Sequence, residues 1–367
     1  MSLDIGIIGL SGSGRTTIFN ALTGSSAGTG GFGGAGQPHV GIAKVPDERL
    51  DVLTGIFKPK KTVPAEIKYL DIGASVKSLV KEGGIGGQLL NELANVDALL
   101  NVVRAFEDPA IPHPSGSIDI ARDIGEMNLE LTFSDLAIIE RRFNRIAASI
   151  RGAKPDEKPR LLAEQELLHR IKDSLEKDVP LREQGLTEEE ERLLSGYQFL
   201  SAKPLITLVN IGESDLAGAP ALEKELNEKF AQPNHRLVVL AGKLEMDLSG
   251  LDKDSIRDFL AEYGLQSTGL ERVIKASFDL LGLISFLTVG PDEVRAWPIA
   301  RGLPAQKAAG KIHSDIERGF IRAEVIGYAD LVDCGSLAEA KKRGQLRLEG
   351  KTYIVQDGDC INYLFNV

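Results

Sequence analysis

The chain opens with an apolar run, a glycine-rich turn and a second apolar stretch. The turn reads Gly9-Leu-Ser-Gly-Ser-Gly-Arg-Thr-Thr17, between residues 5–8 and 18–22. Its spacing follows the pattern G-x-x-x-x-G-K-[ST], except that Arg15 occupies the lysine position. Glycines let successive backbone N–H groups point at phosphate oxygens, and a following helix directs its positive end at them. The pattern predicts a phosphate-binding loop (residues 9–17, the phosphate loop); a plain Gly/Ser turn is the structural alternative.

A threonine and a later aspartate supply the metal chemistry that such a loop needs. Thr16 is expected to offer its hydroxyl to Mg²⁺. Asp71 ends another apolar run and would hold Mg²⁺ through a water, while the backbone near Ala74 would contact the γ-phosphate. A turn-capping role is the alternative for Asp71. The residues expected to hold the phosphates are Ser11, Gly12, Ser13, Gly14, Arg15, Thr16 and Thr17.

A third motif, Asn210-Ile-Gly-Glu213 (the base loop), follows a later apolar run. GTPases carry N-K-x-D at this place, where the aspartate accepts hydrogen bonds from guanine. In this chain Ile211 replaces the lysine and Glu213 replaces the aspartate. A longer carboxylate weakens the contacts that select guanine, so the motif predicts ATP, with GTP as the alternative. Asn210, Ile211 and Glu213 are the expected base contacts; an ordinary polar loop is the structural alternative.

Strand-like runs that alternate with helices predict an α/β fold, a doubly wound and mainly parallel sheet of the P-loop NTPase type. From residue 119, apolar positions step by three and four as far as Ile150, and a second stripe runs from Leu161 to Leu175. These stripes predict an antiparallel helical hairpin, followed by a capping box at Thr187 and Glu190. The expected strands are residues 40–45 and 66–70, which flank a polar segment at 46–64, and residues 99–103, 204–209 and 236–240.

The expected domains follow from these elements. A nucleotide-binding domain is interrupted by the hairpin and followed by a small α+β domain, with strand-like runs at 321–326 and 353–355 and a helix near 337–343. Residues 24–36, rich in Gly, Ser and Ala, are expected to form a mobile loop. The predicted boundaries are 1–118 and 204–281 for the nucleotide-binding domain, 119–203 for the hairpin and 282–367 for the last domain.

Composition restricts the compartment and the partners. The net charge of −10 argues against a wholly basic nucleic-acid coat. Cys334 and Cys360 lack metal-like spacing and are expected to be reduced thiols. We expect no signal peptide, because the first residues lead directly into an apolar strand, and the longest apolar run, residues 280–289, is too short to span a bilayer. We therefore expect a cytoplasmic protein, a monomer without a membrane partner.

Beyond these motifs, segments along the full length resemble the YchF/Obg-like ATPase family. The resemblance implies a hairpin-interrupted nucleotide domain, a C-terminal ubiquitin-like (β-grasp) TGS domain, ATP preferred over GTP through the N-x-x-E loop, and association with ribosomes or RNA. The segments that carry it are Phe57-Lys-Pro-Lys-Lys-Thr-Val-Pro64, Asn95-Val-Asp-Ala98, Val102-Val-Arg104, Ser201-Ala-Lys-Pro204, Glu293-Val-Arg-Ala-Trp297, Ala308-Ala-Gly-Lys-Ile-His313, Gly319-Phe-Ile-Arg-Ala-Glu-Val325, Arg347-Leu-Glu-Gly-Lys351 and Val355-Gln-Asp-Gly-Asp359.

The sequence departs from the family pattern around the γ-phosphate. Arg15 replaces a lysine, Asp71-Ile-Gly-Ala74 replaces D-I-A-G, and Ser75 stands where the family has an apolar residue. Aligning residues 37–41 on the family's E-P-N-V-G places Ala35 at the first-switch threonine. Phosphoryl transfer depends on positioned charges, so these changes predict nucleotide binding with slow or impaired Mg²⁺-dependent hydrolysis. The alternatives are a non-hydrolysing scaffold and a GTP-specific, translation-factor-like GTPase.

Basic residues gather in three groups despite the acidic total. If they face a common cleft, they would follow an RNA backbone electrostatically, so the hairpin and the last domain are the expected contacts for ribosome or RNA. An ordinary solvated helix face is the alternative. The groups are Lys58, Lys60 and Lys61; Arg141, Arg142, Arg145, Arg151 and Lys154; and Arg295, Arg301, Lys307, Lys311, Arg318 and Arg322.

Overall fold

The computed structural model describes residues 3–25, 38–72, 85–230, 232 and 234–366. Its contacts divide the chain into two compact units. The larger unit comprises Asp4–Gly41 and Lys68–Val273, and the smaller consists mainly of Ile42–Ile67 and Ile274–Val367. The predicted boundaries of the three domains stay a prediction.

A mainly parallel sheet forms the centre of the larger unit. Strand β1 pairs with β5, β5 with β6 and β6 with β7, each in parallel. Among the described residues, this first sheet has six strands in the order β2-β4-β1-β5-β6-β7. Their bounds are Leu3–Ile8 (β1), His39–Lys44 (β2), Glu66–Asp71 (β4), Ala98–Ala105 (β5), Leu205–Ile211 (β6) and His235–Leu240 (β7).

Helices cover this sheet and bury its apolar strands. Strand β6 is buried at every position, as expected of a parallel strand covered on both faces. The helices that belong to this part of the chain are Arg15–Thr23 (α1), Ile85–Asn95 (α3), Ala219–Lys229 (α7), Gly242–Leu248 (α8), Lys253–Glu262 (α9) and Gly269–Leu280 (α10), with a 3₁₀ turn at Glu213–Gly218. The predicted fold class is confirmed.

The hairpin is built on one continuous helix, Ile120–Gly152 (α4). In the first half of α4, Ile124, Met127 and Leu131 lie in hydrophobic clusters that also contain strand residues of the first sheet. Its second half packs against Lys158–Leu175 (α5), with Leu168 and Ile171 in the shared core. Thr187 and Glu190 form the predicted capping box of Glu188–Leu194 (α6). 3₁₀ turns at Leu181–Glu183 and Ser195–Tyr197 complete this region.

The smaller unit contains a mixed sheet that also takes in Lys61–Val63 (β3). Strand β3 pairs in parallel with the strand that begins at Glu293, more than 200 residues later in the chain. Within the described chain, this second sheet runs β11-β10-β12-β8-β9-β3. Its other strands are Leu283–Val289 (β8), Glu293–Ala300 (β9), Phe320–Gly327 (β10), Arg347–Glu349 (β11) and Asp359–Phe365 (β12). Its helices are Glu48–Phe57 (α2), Ala305–Ile312 (α11), Ser314–Arg318 (α12), Tyr328–Cys334 (α13) and Leu337–Lys342 (α14).

The structure adds one helix to the predicted elements and corrects one predicted strand. The polar segment 46–64 contains α2, which Asp47 caps by accepting a hydrogen bond from the Arg49 N–H, and which buries Leu50 and Leu53. Residues 353–355 form no strand; Ile354 makes only an isolated bridge with Pro304. In the residues that the structure describes, no helix is both long and apolar enough to cross a membrane.

Candidate phosphate-binding cleft

The phosphate loop adopts the left-handed backbone that its glycines permit. Gly9, Gly12 and Gly14 have φ values of 151°, 76° and 92°. A Cβ on Gly9 would lie 2.4 Å from the Val102 carbonyl oxygen, and one on Gly14 would lie 2.4 Å from Asn210 Nδ2. Glycine is therefore required by conformation and by space at both positions. Helix α1 begins directly afterwards at Arg15, so its N-terminus points into the loop.

The Thr16 hydroxyl and the Asp71 carboxylate meet at the end of β4. Thr16 Oγ1 donates to Asp71 Oδ2 over 2.9 Å, and Asp71 is 1% exposed. Among the described residues, Asp71 Oδ1 and Ser13 Oγ are buried without a hydrogen-bond partner. Buried polar atoms normally have partners, and a hydroxyl beside a carboxylate is an oxygen pair that suits Mg²⁺. These side chains therefore fit a magnesium ion and a phosphate group.

Arg15 is directed towards the residue that follows Asp71. Its Nη1 donates to the Ile72 carbonyl oxygen over 2.8 Å. Burial lowers the pKa of Arg15, while the nearby carboxylates of Asp71 and Glu130 oppose that shift. This contact fixes the direction of the Arg15 side chain.

The base loop is braced to the phosphate loop. Asn210 Nδ2 donates to the Ser13 carbonyl oxygen over 3.0 Å, and Asn210 Oδ1 accepts from the Gly242 N–H over 2.8 Å. The Asn210 amide thus joins the phosphate loop to the first residue of α8. Ile211 is buried, whereas Glu213 is exposed at the start of its 3₁₀ turn.

Both loops line one cleft of about 660 Å³ in the larger unit. The cleft includes Gly12, Ser13, Gly14, Arg15, Thr16, Thr17, Asn210, Ile211 and Glu213. The structure thus brings together these predicted contacts, with Asp71 joined to Thr16 beneath them. Ser11 lies in the same loop but outside this lining. Ala74, with Gly73 and Ser75, and Ala35 lie outside the described residues, as does most of the predicted mobile loop.

The cleft has a third wall, residues 106–111, which no sequence motif predicted. Arg104 holds this wall, since its Nε donates to the Phe106 carbonyl oxygen and its Nη1 donates to the Ile111 carbonyl oxygen, over 3.0 and 2.7 Å. Its guanidinium also lies 4.7 Å from the centre of the Phe106 ring. In the sequence, Val102-Val-Arg104 carries only the family resemblance, and an arginine at the end of an apolar run is the one signal that points to this wall. Lys243 and Met246 of α8 also line the cleft and were missed.

Several residues of the predicted basic groups are engaged within the protein. Arg142 pairs with Glu164, and Lys307 pairs with Glu317. Arg295 lies 4.2 Å from the Trp297 ring centre. His313 Nδ1 accepts a hydrogen bond from the Asp315 N–H and caps α12.

A parallel sheet with a glycine cradle at a helix N-terminus, and a strand-end aspartate beside it, defines a protein of the P-loop NTPase fold. Comparisons identify the family. "Ribosome-binding ATPase YchF" of Bacillus subtilis is 41% identical over 370 residues, with all of both chains covered. Its counterpart in Escherichia coli O157:H7 is 38% identical over 368 residues, also with full coverage. This chain belongs to the YchF family.

A family model and a solved structure agree with that assignment. The model YchF-GTPase_C, described as a protein of unknown function, matches residues 283–366. The solved YchF GTPase of Schizosaccharomyces pombe superimposes with a TM-score of 0.82 at 30% identity, covering 99% of this chain and 98% of that one. The resemblance found in the sequence is confirmed.

Proposed function

We propose that this chain is a ribosome-associated regulatory nucleotide-binding protein that prefers ATP to GTP and hydrolyses it slowly with Mg²⁺. The observation that carries the proposal is the pair of buried, unpartnered oxygens at the phosphate loop, Ser13 Oγ and Asp71 Oδ1, among the residues described. They adjoin a glycine cradle in which a side chain would clash. Such a site gains hydrogen bonds when a phosphate and its metal bind.

In this proposal the chain's own residues bind and orient the triphosphate. Residues Ser11 to Thr17 hold its phosphates through backbone N–H groups and the Arg15 guanidinium. Thr16 and, through a water, Asp71 hold Mg²⁺, which neutralises charge on the phosphates. The backbone near Ala74 contacts the γ-phosphate.

The preference for ATP is assigned to the base loop. Asn210 keeps that loop against the phosphate loop, and its amide is already bonded at both ends. Discrimination therefore falls to Ile211 and Glu213, whose longer carboxylate is a poor match to the guanine donors.

Ribosome association rests on the printed names of the relatives from Bacillus subtilis and Escherichia coli. We assign the contact to the hairpin and the C-terminal domain, and propose that the protein acts in the cytoplasm as a monomer. Cosedimentation with ribosomes tests the partner: the full chain should pellet with them, and a chain that stays in the supernatant under all nucleotide conditions contradicts this part.

A non-hydrolysing scaffold is the second candidate, and the Arg15 contact with the Ile72 carbonyl oxygen favours it. A planar guanidinium held there is not equivalent to a lysine ammonium on the β- and γ-phosphates. Phosphate release separates the two functions. Slow release from wild type that increases when Arg15→Lys, Ala35→Thr and Ala74→Gly are combined supports the enzyme; release only from the triple variant supports the scaffold.

A further inference from the structure

A second concave surface lies at the root of the hairpin, away from the phosphate loop. It is a groove of about 730 Å³ in the larger unit, and it shares no lining residue with the cleft among those described. Helices α3, α4 and α5 and the turn after α6 form its walls. We call it the arginine groove, after Arg141, Arg142, Arg145 and Arg160 in its lining.

The groove carries unbalanced positive charge. Glu164 lines it as well, and both of its oxygens accept from Arg142, over 2.7 and 2.8 Å. The Tyr197 hydroxyl also donates to Glu164. Arg141, Arg145 and Arg160 are exposed; Arg141 Nε donates to the Ala137 carbonyl oxygen of its own helix, and Arg160 interacts electrostatically with Glu164. These three exposed guanidinium groups outnumber the single carboxylate of the lining and retain donors for a partner, on a protein of net charge −10.

The lining also contains a group of apolar side chains, beside the polar Asn91 and Gln198, and we call this apolar group the floor of the groove. Leu90, Ala94, Ile138 and Leu200 line it, and Leu193 is 43% exposed there. Ser134 also lines the groove, and its buried Oγ lacks a hydrogen-bond partner among the described residues. The surface therefore offers apolar contact area, a buried hydroxyl and cationic forks side by side.

We propose that the arginine groove binds an acidic amphipathic helix of a partner protein. Leucine-like side chains at i, i+3 and i+4 fit the apolar floor, while carboxylates bind the guanidinium forks in bidentate pairs. A nucleic-acid backbone would use the arginines but would leave the floor without an apolar contact. The proposal does not depend on nucleotide binding.

The test is selection of helical peptides from a random display library on the immobilised full-length protein. Enriched peptides should carry Asp or Glu together with Leu, Ile or Phe at helical spacing. A labelled synthetic copy of the most enriched peptide is then titrated by fluorescence anisotropy. Combined Arg145→Glu and Arg160→Glu should weaken its binding about tenfold or more, because charge-assisted hydrogen bonds are lost.

Two further variants distinguish peptide binding in the arginine groove from nonspecific electrostatic attraction to the protein. Leu193→Ser should also weaken binding, whereas Arg151→Glu, at the exposed end of α4 outside the groove, should not. The proposal is overturned if selection yields no binder, if the peptides lack acidic residues, or if the variants bind them equally. It is also overturned if a labelled 20-nucleotide uridine RNA, and no peptide, binds in a way that depends on Arg145 and Arg160.

Discussion

The phosphate loop and the base loop line the same cleft, and they differ in how their polar side-chain atoms are used. In the base loop, Asn210 bonds to both Ser13 and Gly242, so the protein already satisfies its amide. At the phosphate loop, Ser13 Oγ and Asp71 Oδ1 are buried without partners in the described chain. The base loop keeps its geometry without a ligand. The phosphate loop, in contrast, gains its missing hydrogen bonds when a ligand binds. Binding energy should therefore come mainly from phosphate and metal, and base selectivity should be modest.

Gly14→Val gives the largest expected effect, because it disturbs both regions at once. The new Cβ would lie 2.4 Å from Asn210 Nδ2, on a backbone with φ of 92°. ATP affinity should fall at least about a hundredfold, as the cradle cannot keep its conformation. Equilibrium titration with ATP measures the loss.

Gly125→Ala is the matched control for that substitution. Gly125 lies in α4 with open space around it, so alanine should leave ATP affinity unchanged and slightly stabilise the helix. If Gly14→Val bound ATP with wild-type affinity, the phosphate loop would not be the site that binds the phosphates.

Strand β7, which pairs with the strand leading into the base loop, begins with a buried histidine, and this histidine predicts an acid-sensitive fold. His235 is 6% exposed, its Nε2 lies 2.8 Å from Thr207 Oγ1, and burial lowers its pKa to about 4. Because the unfolded chain binds the proton more readily, stability falls as pH drops from about 6.5 to about 4, by up to about 3 kcal/mol.

Urea unfolding across this pH range, on wild type and His235→Asn, measures the contribution. Subtracting the two curves should leave a pH dependence confined to that window and absent above pH 7. If the free energy of unfolding has the same pH dependence in wild type and His235→Asn, then His235 has the same pKa in the folded and unfolded states.

Asp71→Asn tests whether ATP binding at the phosphate loop depends on a metal ion. The variant should lose about tenfold in affinity for ATP with Mg²⁺ and keep or improve its affinity for ATP in EDTA, because one negative charge is gone. Asp108→Asn, on the third wall of the same cleft, removes a similar charge and should preserve the Mg²⁺ dependence. An unchanged Mg²⁺ response in Asp71→Asn would place the metal elsewhere.

Glu213→Asp gives the smallest effect and tests the base loop alone. A shorter carboxylate should shift the ATP-to-GTP affinity ratio towards GTP by a few-fold, roughly 1 kcal/mol. Competition between the two nucleotides for a fluorescent analogue measures this ratio. Asp215→Glu, in the same turn but outside the cleft lining, should not change it. If both variants shifted the ATP-to-GTP affinity ratio equally, Glu213 would have no specific role in selecting the base.

The sequence predicted the features that local chemistry determines. The positive φ angles of Gly12 and Gly14 follow from the glycine spacing, and the capping box of Thr187 and Glu190 lies within four residues. Helix α2 also depends on local signals, since Asp47 caps it and Leu50 and Leu53 form its buried face. These signals were overlooked because the surrounding segment is polar.

The remaining features depend on residues far apart in the chain. Nothing within residues 61–63 indicates a partner at residues 293–295. Likewise, Arg104 organises a wall of the cleft through bonds to two backbone carbonyl groups, which leave no trace in side-chain spacing. Tertiary contacts decide such pairings, and a single sequence does not encode them as a local pattern.

The central claim is that the phosphate loop still binds nucleotide, and calorimetric titration of the full-length protein with ATP and then GTP, each with Mg²⁺, tests it most directly. We expect saturable binding of both nucleotides, tighter for ATP, and loss of the ATP signal in Gly14→Val. A folded wild-type protein that gives no binding to either nucleotide at millimolar concentration would contradict it.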